Sequence, residues 1–296
     1  MLDKLEMFIA VAREEHFGRA AVGLGITQPT LSAGIKQLED QLGVQLIFRG
    51  SRYGGLTPEG QNALEWARRI VGDARQLKEE MRFKRHGLAG QLRIAVIPTA
   101  LTWAAKLSAQ FSRKHPRVRM TLLSHASSEI LSMIEDFSVD AGISYLDNEP
   151  VGKFSTAPLY REHYMLVCRS DAPMAARDRV GWHDLDGEKL CLLTPDMQNR
   201  RIINQHFLAA GVTPRAGIES NSTVVLIANV EDGDWMTVLP ADMARFLCAG
   251  KPLCMIPVGD AEAHKTVGLV APWREPHTPV LKALLTEAGR VSDLSR

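Results

Sequence analysis

The sequence has few cysteines, only short apolar runs and almost no excess of either charge. Its 296 residues contain four cysteines, Cys168, Cys191, Cys248 and Cys254, with no C-x-x-C pair. A chain of this length does not depend on disulfide staples, so we expect four reduced, buried thiols. The nine histidines are scattered without metal-ligand spacing, so we expect no metal site and no cofactor.

Apolar segments are too short for a membrane span, which requires roughly 18 residues. A typical long one, residues 224–228, falls far below that length. The first seven residues also lack the basic and apolar regions of a secretory signal. We therefore expect a cytoplasmic protein with no membrane partner.

The charge is nearly balanced, with 35 basic and 34 acidic residues and a formal net charge of +1. The total charge therefore does not indicate a polyanionic partner, and any nucleic-acid signal must be local. The sequence also lacks the G-x-S-x-G elbow, the H-E-x-x-H zinc motif, the P-loop and the G-x-G-x-x-G fingerprint. We predict that the chain is not an enzyme.

The first 57 residues show the pattern of short helices broken by glycines. A first amphipathic helix ends near residue 16, a second spans about 18–24, and Gly25-Ile26-Thr27 forms a tight turn. Thr27 is a good N-cap for a third helix, and Pro29 suits its first turn. Two helices joined by such a turn form the helix-turn-helix that enters a DNA major groove.

Short polar side chains are concentrated at the start of the third helix, opposite its apolar face. A small hairpin or wing follows, in which two arginines would flank DNA phosphates. The predicted DNA-binding residues are Thr27, Gln28, Pro29, Thr30, Ser32, Ala33, Lys36, Arg49 and Arg52. The alternative is a capped, solvated helix start. Residues 1–60 hold six basic and seven acidic residues, so affinity would rely on the distribution of charge and on oligomer avidity.

The longest helical pattern begins at Thr57-Pro58 and runs to about residue 85. Its apolar positions alternate at spacings of four and three, which is the a/d seam of a coiled coil. The seam comprises Ala63, Ala67, Ile70, Ala74, Leu77 and Met81. We predict dimerisation through it; packing on the chain's own globular core is the alternative. Gly87 and Gly90 mark a hinge.

From residue 92 onward, short apolar strands alternate with helices. Strands are predicted near 92–97, 118–123, 164–168, 190–193, 236–239 and 266–270, and helices near 101–114, 129–137, 201–210, 223–231 and 279–291. This alternation favours parallel sheets with helices on both faces. Two α/β lobes account for these segments.

Hydroxyl and basic side chains follow several of these strands or open the next helix, where anions are often held. We predict a small anionic ligand between the lobes. Its predicted contacts are Thr99, Ala100, Thr102, Ser127, Ser128, Tyr145, Thr194, Arg200, Arg201, Ser222 and Thr223. Taken singly, each has a plainer interpretation as a helix cap, a loop residue or, for Tyr145, a core aromatic.

Several short motifs in the first 60 residues occur in one register: Phe17-Gly18-Arg19-Ala20-Ala21, Thr27-Gln28-Pro29, Leu38-Glu39, Leu42-Gly43 and Leu56-Thr57-Pro58-Glu59-Gly60. With these motifs the segment resembles the DNA-binding domain of LysR-type transcriptional regulators, and the whole chain fits that family. The resemblance implies a winged helix-turn-helix, a linker helix that dimerises, and an effector domain folded like the two-lobed periplasmic solute-binding proteins. It also implies a homotetramer. RNA polymerase is a further candidate partner.

Two departures from the family pattern bear on DNA recognition. Ala33-Gly34 replaces a longer polar pair, which predicts fewer direct base contacts, and in Ile47-Phe48 the aromatic is displaced by one position, which predicts a different wing. Near the second lobe, Gly233-Asp234-Trp235 replaces a Gly-x-Gly, so the pocket is expected to differ.

The sequence thus predicts an α+β multidomain protein with four segments. These are a winged helix-turn-helix over 1–57, a dimerisation helix over 58–86, a hinge over 87–91 and an effector-binding domain over 92–296. Within the last, lobe I covers about 92–160 and 266–296, and lobe II about 161–265.

The predicted function is sequence-specific regulation of transcription, modulated by a small anionic metabolite bound between the lobes. The partners are double-stranded DNA, that effector, and further copies of the chain in a homodimer or homotetramer. The alternative is a cytoplasmic small-molecule-binding or transferase-like α/β protein that does not bind DNA.

Overall fold

The computed structural model describes residues 1–48, 53–147, 154–259, 265–273 and 276–292. These fall into two compact units. The first comprises Met1–Leu88 with Ser132–Ser138 and Pro276–Pro279, and the second comprises Ala89–Leu131, Val139–Glu275 and Val280–Arg296. Among the described residues, none of the helices combines the length and the apolar character that crossing a bilayer demands.

The first unit opens with three helices, α1 (Leu2–Glu14), α2 (Phe17–Leu24) and α3 (Gln28–Leu42), close to the predicted bounds. Their shared core includes the fully buried side chains of Phe8, Val11, Leu31 and Leu38. The ring of His16 caps α2 by accepting a hydrogen bond from the Arg19 backbone N–H at 3.2 Å. Local capping and an apolar face on each helix therefore define this bundle.

Helix α4 (Pro58–His86) begins at a second cap. The Thr57 hydroxyl accepts from the Gly60 N–H at 2.9 Å and donates to the Gln45 carbonyl at 2.6 Å. Ile47 and Leu56 form an antiparallel bridge beside it. A β-carbon on Gly60 would overlap the Leu46 carbonyl oxygen, so only glycine permits this close approach of helix and wing.

The start of α4 packs within its own unit. Ala67 and Val71 are fully buried in the core shared with α1, and Ala63 packs against the same core. The sequence assigned Ala63 and Ala67 to an intermolecular seam, whereas in the structure Ala67 is buried and Ala63 is partly buried in this core, where α1 contacts α4.

The second unit is a mixed α/β structure. In chain order its elements are β1 (Gly90–Val96), α5 (Leu101–Lys114), β2 (Val118–Ser124), α6 (Ser127–Glu135), β3 (Ala141–Tyr145), β4 (Phe154–Glu162), β5 (Tyr164–Arg169), β6 (Leu190–Leu193), α7 (Gln198–Ala209), β7 (Ala216–Ser220), α8 (Thr223–Asp232), β8 (Thr237–Pro240), α9 (Ala241–Cys248), β9 (Leu253–Pro257), β10 (Lys265–Pro272) and α10 (Pro279–Val291). A 3-10 turn, Pro98–Ala100, leads into α5.

Two lobes are built on separate sheets. The first lobe holds a five-stranded sheet in the order β2-β1-β3-β10-β4, and the second holds β8-β5-β9 with the pair β6-β7. Strand β4 ends at Glu162 and β5 begins at Tyr164, so His163 alone separates the two sheets at this crossing.

The prediction of parallel sheets is only partly correct. Strands β2, β1 and β3 pair in parallel, as do β6 and β7, but β10 is antiparallel to β3 and β4, and β5 is antiparallel to β8 and β9. Strand β10 enters the first sheet directly from the second lobe. Because no helical crossover of the kind that joins parallel neighbours leads into it, β10 can run antiparallel to the strands beside it.

The four cysteines are free thiols. Cys168, Cys191 and Cys248 are buried in the second lobe as predicted, whereas Cys254 is partly exposed on β9.

Candidate DNA-binding surface and ligand site

The N-terminal end of α3 presents a continuous exposed face. The Thr27 hydroxyl accepts from the Thr30 N–H at 3.4 Å and lies 2.9 Å from the Thr30 hydroxyl, which fixes the first turn. Positions spaced three or four residues apart share one side of a helix. The predicted contacts that are exposed here are Thr27, Gln28, Pro29, Thr30, Ser32, Ala33 and Lys36.

Glycine at position 34 has a packing cause. Gly34 is buried, and a β-carbon there would overlap the Met7 sulfur of α1. A longer side chain at position 34 would therefore require the flexible end of the Met7 side chain to move, whatever it offered to DNA. In the wing, Ile47 is buried and Phe48 is exposed. Arg49 and Arg52 lie outside the described residues.

A stripe of large apolar side chains is exposed along α4. Of the predicted seam, Ile70, Leu77 and Met81 are exposed and Ala74 is partly so. Trp66, which the heptad pattern did not include, is 60% exposed and lies on the same side of the helix. We call Trp66, Ile70, Leu77 and Met81 the apolar stripe.

A small cavity lies where the two lobes of the second unit meet, and we call it the cleft cavity. It encloses only about 10 Å³, roughly the space of one water molecule. Three predicted ligand contacts line it: Thr99, Ser127 and Tyr145. From the second lobe, Met197, Gln198 and Asn199 complete its wall.

The remaining predicted contacts are elsewhere in this unit and do not line the cleft cavity. Ala100 and Thr223 are buried, Thr102, Thr194 and Ser222 are partly exposed, and Ser128 and Arg201 are exposed. The buried guanidinium of Arg200 binds the Glu219 carboxylate at 2.8 Å and the Leu193 carbonyl at 2.6 Å. Arg201 donates to the Asp196 carbonyl at 2.6 Å.

A buried carboxyl beside the cleft escaped prediction from the sequence. Glu162 Oε2 accepts hydrogen bonds from the hydroxyls of Tyr145, at 2.6 Å, and Tyr164, at 2.9 Å. The Asn199 side-chain amide donates to the Tyr145 hydroxyl at 3.1 Å and approaches Glu162 Oε2 at 3.4 Å. This cluster combines residues of β3, β4, β5 and α7, so only the tertiary fold brings it together.

Burial controls the titration of the cluster. It raises the pKa of Glu162 to about 7, against the lowering effect of the bonds from Tyr145, Tyr164 and Asn199. Burial, followed by the negative charge of Glu162, raises the pKa of both tyrosine hydroxyls well above their usual range. The tyrosines are therefore firm donors, and the carboxyl is the group that can change protonation state near neutral pH.

Two buried oxygens of this cluster have no hydrogen-bond partner among the described residues, Glu162 Oε1 and Asn199 Oδ1. Unpaired buried acceptors are costly and uncommon in folded proteins. The Asn199 amide oxygen can only accept, and Glu162 Oε1 accepts whenever the carboxyl is ionised. The cluster is thus equipped to receive hydrogen-bond donors from a bound molecule.

Family models cover nearly the whole chain. The bacterial regulatory helix-turn-helix model of the lysR family matches residues 2–61, and the LysR substrate binding domain model matches residues 85–292.

Individual relatives extend over the same length. A hydrogen peroxide-inducible genes activator of Pectobacterium carotovorum subsp. carotovorum is 31% identical over 267 residues, which is 90% of this chain and 88% of the relative. The DNA-binding transcriptional dual regulator OxyR of Escherichia coli (strain K12) is 30% identical over 267 residues, 90% of this chain and 87% of the relative.

Among solved structures, full-length OxyR from Pseudomonas aeruginosa shares the fold with a TM-score of 0.77 and 24% identity, covering 100% of this chain and 98% of that one. The helix-turn-helix unit, the long helix and the two-lobed unit all have counterparts in these matches. The chain therefore belongs to the LysR family of bacterial transcriptional regulators, which join a DNA-binding helix-turn-helix to an effector-binding domain.

Proposed function

We propose that this regulator reads DNA with the exposed N-terminal face of α3 and responds to a small ligand held between its two lobes. The observation that carries the proposal is the cleft cavity, whose walls come from both lobes and include buried polar groups. A ligand that enters there acts on the arrangement of the lobes directly. We propose the cytoplasm as its place of action.

The α3 face suits contact with a major groove. Gln28 and Ser32 are one helical turn apart and exposed, so both side chains are available to base edges. Lys36, one turn further on, is placed to meet a phosphate. Since residues 1–60 carry no excess of basic side chains, tight binding would depend on two or more copies acting together.

The apolar stripe on α4 provides a means of bringing copies together. Its side chains span about four helical turns and leave a large apolar surface in contact with water, which single chains seldom do. We propose that two stripes pair in a homodimer and that dimers associate into a homotetramer. RNA polymerase is proposed as a further partner, and the protein is proposed to act by binding rather than by catalysis.

The small volume of the cleft cavity has a mechanistic consequence. At about 10 Å³ the cavity cannot admit a metabolite as it stands, so a ligand must bind a more open arrangement of the lobes. A ligand that prefers one of two arrangements shifts the population toward it. Effector control of DNA binding then requires only a coupling free energy of about 1–3 kcal/mol.

The charges around the cleft refine the expected ligand. The guanidinium of Arg200 is already paired with Glu219, so it offers no free positive charge to an anion. The acidic group next to the cleft is Glu162, which does not favour an anion either. An anionic group is better placed at Ser127, which lines the cavity at the N-terminus of α6. We therefore propose an acid that also carries a donor for Asn199 Oδ1.

We do not extend to this chain the activation of hydrogen peroxide-inducible genes that the names of the relatives describe. Burial raises the pKa of Cys168, Cys191 and Cys248 to about 11. At pH 7 only about one in ten thousand of these thiols is ionised, and the thiolate is the reactive species. These three cysteines are therefore suited to packing rather than to rapid oxidation.

The first prediction concerns groove recognition. Replacing Gln28 or Ser32 by Ala should reduce the preference for operator over random DNA by about 1–3 kcal/mol, because each substitution removes a side chain that can bind a base edge. Gln37→Ala, also exposed on α3 but on the opposite side from Gln28, is the matched control and should leave the preference unchanged. Competition gel shifts measure both. If both Gln28→Ala and Ser32→Ala keep the wild-type preference for operator over random DNA, this face of α3 does not contact the major groove.

The second prediction concerns the apolar stripe. Leu77→Asp would bury an unpaired charge in the proposed interface, at a cost of several kcal/mol, and should shift the protein toward monomers. Gln61→Asp adds the same charge on the opposite, exposed side of α4 and should keep the native mass. Sedimentation equilibrium decides the matter. A Leu77→Asp protein of unaltered mass would show that the stripe is not the interface.

The third prediction concerns the cleft. A panel of small carboxylic acids is screened by gel shift, and each active compound is titrated calorimetrically into the full chain. Thr99→Val and Ser127→Ala should each weaken binding about tenfold, because each removes a hydroxyl group from the wall of the cavity. Ser112→Ala, an exposed hydroxyl on α5, is the control. Equal affinity of active compounds for wild type and both cleft variants would place the effector elsewhere.

A further inference from the structure

A second cavity lies in the same unit, and it is far larger than the cleft cavity. It encloses about 460 Å³, within the usual range for small-molecule sites. Its walls come from α5, from the end of β4 and from the start of α9, and it shares no lining residue with the cleft cavity. We call it the second cavity.

An aromatic pair forms one wall of the second cavity. The rings of Trp103 and Tyr160 stack with centroids 4.6 Å apart and an angle of 5° between their planes. The Trp103 indole N–H donates to Asp242 Oδ2 at 2.7 Å, which ties α5 to α9. Lys106 covers the Trp103 ring, with its Nζ 4.3 Å from the ring centroid. The wall is therefore held in place from both lobes before any ligand arrives.

Two buried polar atoms in this wall are unsatisfied. Tyr160 is 3% exposed and Glu162 is 1% exposed, yet the Tyr160 hydroxyl and Glu162 Oε1 have no hydrogen-bond partner among the described residues. Both residues line the second cavity. Leaving two such groups unpaired is costly unless something else satisfies them. Glu162 Oε1 needs a hydrogen-bond donor, and the Tyr160 hydroxyl can donate or accept, so the pair suits a ligand that brings a hydroxyl or amino group.

The rim of the second cavity is basic. Lys106 and Arg161 are exposed, and neither forms an ion pair with a carboxylate in the described part of the chain. Arg245, also on the rim, pairs at 3.2 Å with Asp242, whose other oxygen is taken by Trp103. Two cations thus remain for an incoming anion, and Arg161 offers the planar fork that binds a carboxylate through two bonds.

We propose that the second cavity binds a small organic carboxylate that also carries a hydroxyl or amino group. Lys106 and Arg161 receive the carboxylate, while Glu162 Oε1 and the Tyr160 hydroxyl receive the donor. A plain carboxylate gains the first contact but leaves the buried acceptor unpaired. A site with such an acceptor discriminates against analogues that lack the donor. This ligand is additional to the one proposed for the cleft cavity.

Three matched probes test the proposal on the full chain: 3-phenylpropionate, 3-phenyllactate and phenylalanine. They share a phenyl group and a carboxylate and differ in having no donor, a hydroxyl or an amine. By calorimetry, phenyllactate or phenylalanine should bind about tenfold or more tightly than phenylpropionate. Equal affinities, or no binding of any probe at about 10 mM, would overturn the proposal.

Variants locate the binding. Lys106→Ala and Tyr160→Phe should each weaken the tighter probe about tenfold, and Tyr160→Phe should also narrow its advantage over phenylpropionate. Arg113→Ala, two turns from Lys106 on the same exposed side of α5, should have no effect. Thr99→Val and Ser127→Ala in the cleft should also leave probe binding intact. The proposal fails if the cleft variants abolish binding while Lys106→Ala and Tyr160→Phe retain it.

Discussion

One buried carboxyl group connects the two lobes of the effector unit. Glu162 stands at the end of the last strand before the chain crosses to the second sheet, and its Oε2 accepts from Tyr145 in the first lobe and Tyr164 in the second. Asn199 of α7 adds an amide donor to the same group. Breaking a bond of this kind leaves a buried polar atom unpaired, at a cost of about 1–3 kcal/mol. The arrangement of the lobes therefore depends on these bonds, and a ligand that competes for them can change it.

The same residue places the two cavities on either side of one hydrogen-bonded group. Tyr145 and Asn199 line the cleft cavity, while Glu162 is among the residues that line the second cavity. Its buried Oε1 has no hydrogen-bond partner among the described residues. A ligand that donates a hydrogen bond to Oε1 binds the same carboxyl group that accepts hydrogen bonds from Tyr145 and Asn199 at Oε2. Occupation of one cavity should therefore alter the affinity of the other, and linkage makes the effect reciprocal. Such a regulator would combine two chemical signals in one domain, with DNA binding as the output.

Local signals made the DNA-binding unit predictable. Thr27 with Pro29 and Thr57 with Pro58 mark helix starts that need no tertiary context, and α4 follows its apolar period over its whole length.

The effector unit is different because β10 joins its sheet from far along the chain, and nothing near residue 265 specifies its antiparallel partners. Of the predicted ligand contacts, Thr99, Ser127 and Tyr145 reach the cleft cavity because each ends or follows a strand of the first lobe or opens its next element. Arg200 was inferred from charge alone, and its partner Glu219 lies on a strand that the pattern did not indicate. Glu162 sits between Arg161 and His163, where three polar residues in a row predict exposure rather than burial.

The most direct test of this account is the pH dependence of stability of the full chain with and without the carboxyl. The pKa of Glu162 is about 7 in the folded protein and near 4.5 in the unfolded chain, so the folded state holds the extra proton between these values and its stability falls as pH rises through that window. The side chains that face the carboxyl are those of Tyr145, Tyr160, Tyr164 and Asn199. The titratable side chains that line the same cavity are those of Lys106, Arg161, His163, Asp242 and Arg245. Most of their own titration cancels when Glu162→Gln is compared with wild type by chemical denaturation, and Glu65→Gln, an exposed position, serves as the control. As pH rises from about 5 to 8, the free energy of unfolding of the Glu162→Gln protein should increase by up to about 3 kcal/mol relative to that of wild type, while that of Glu65→Gln should not. A difference between Glu162→Gln and wild type that stays constant over that range would contradict it.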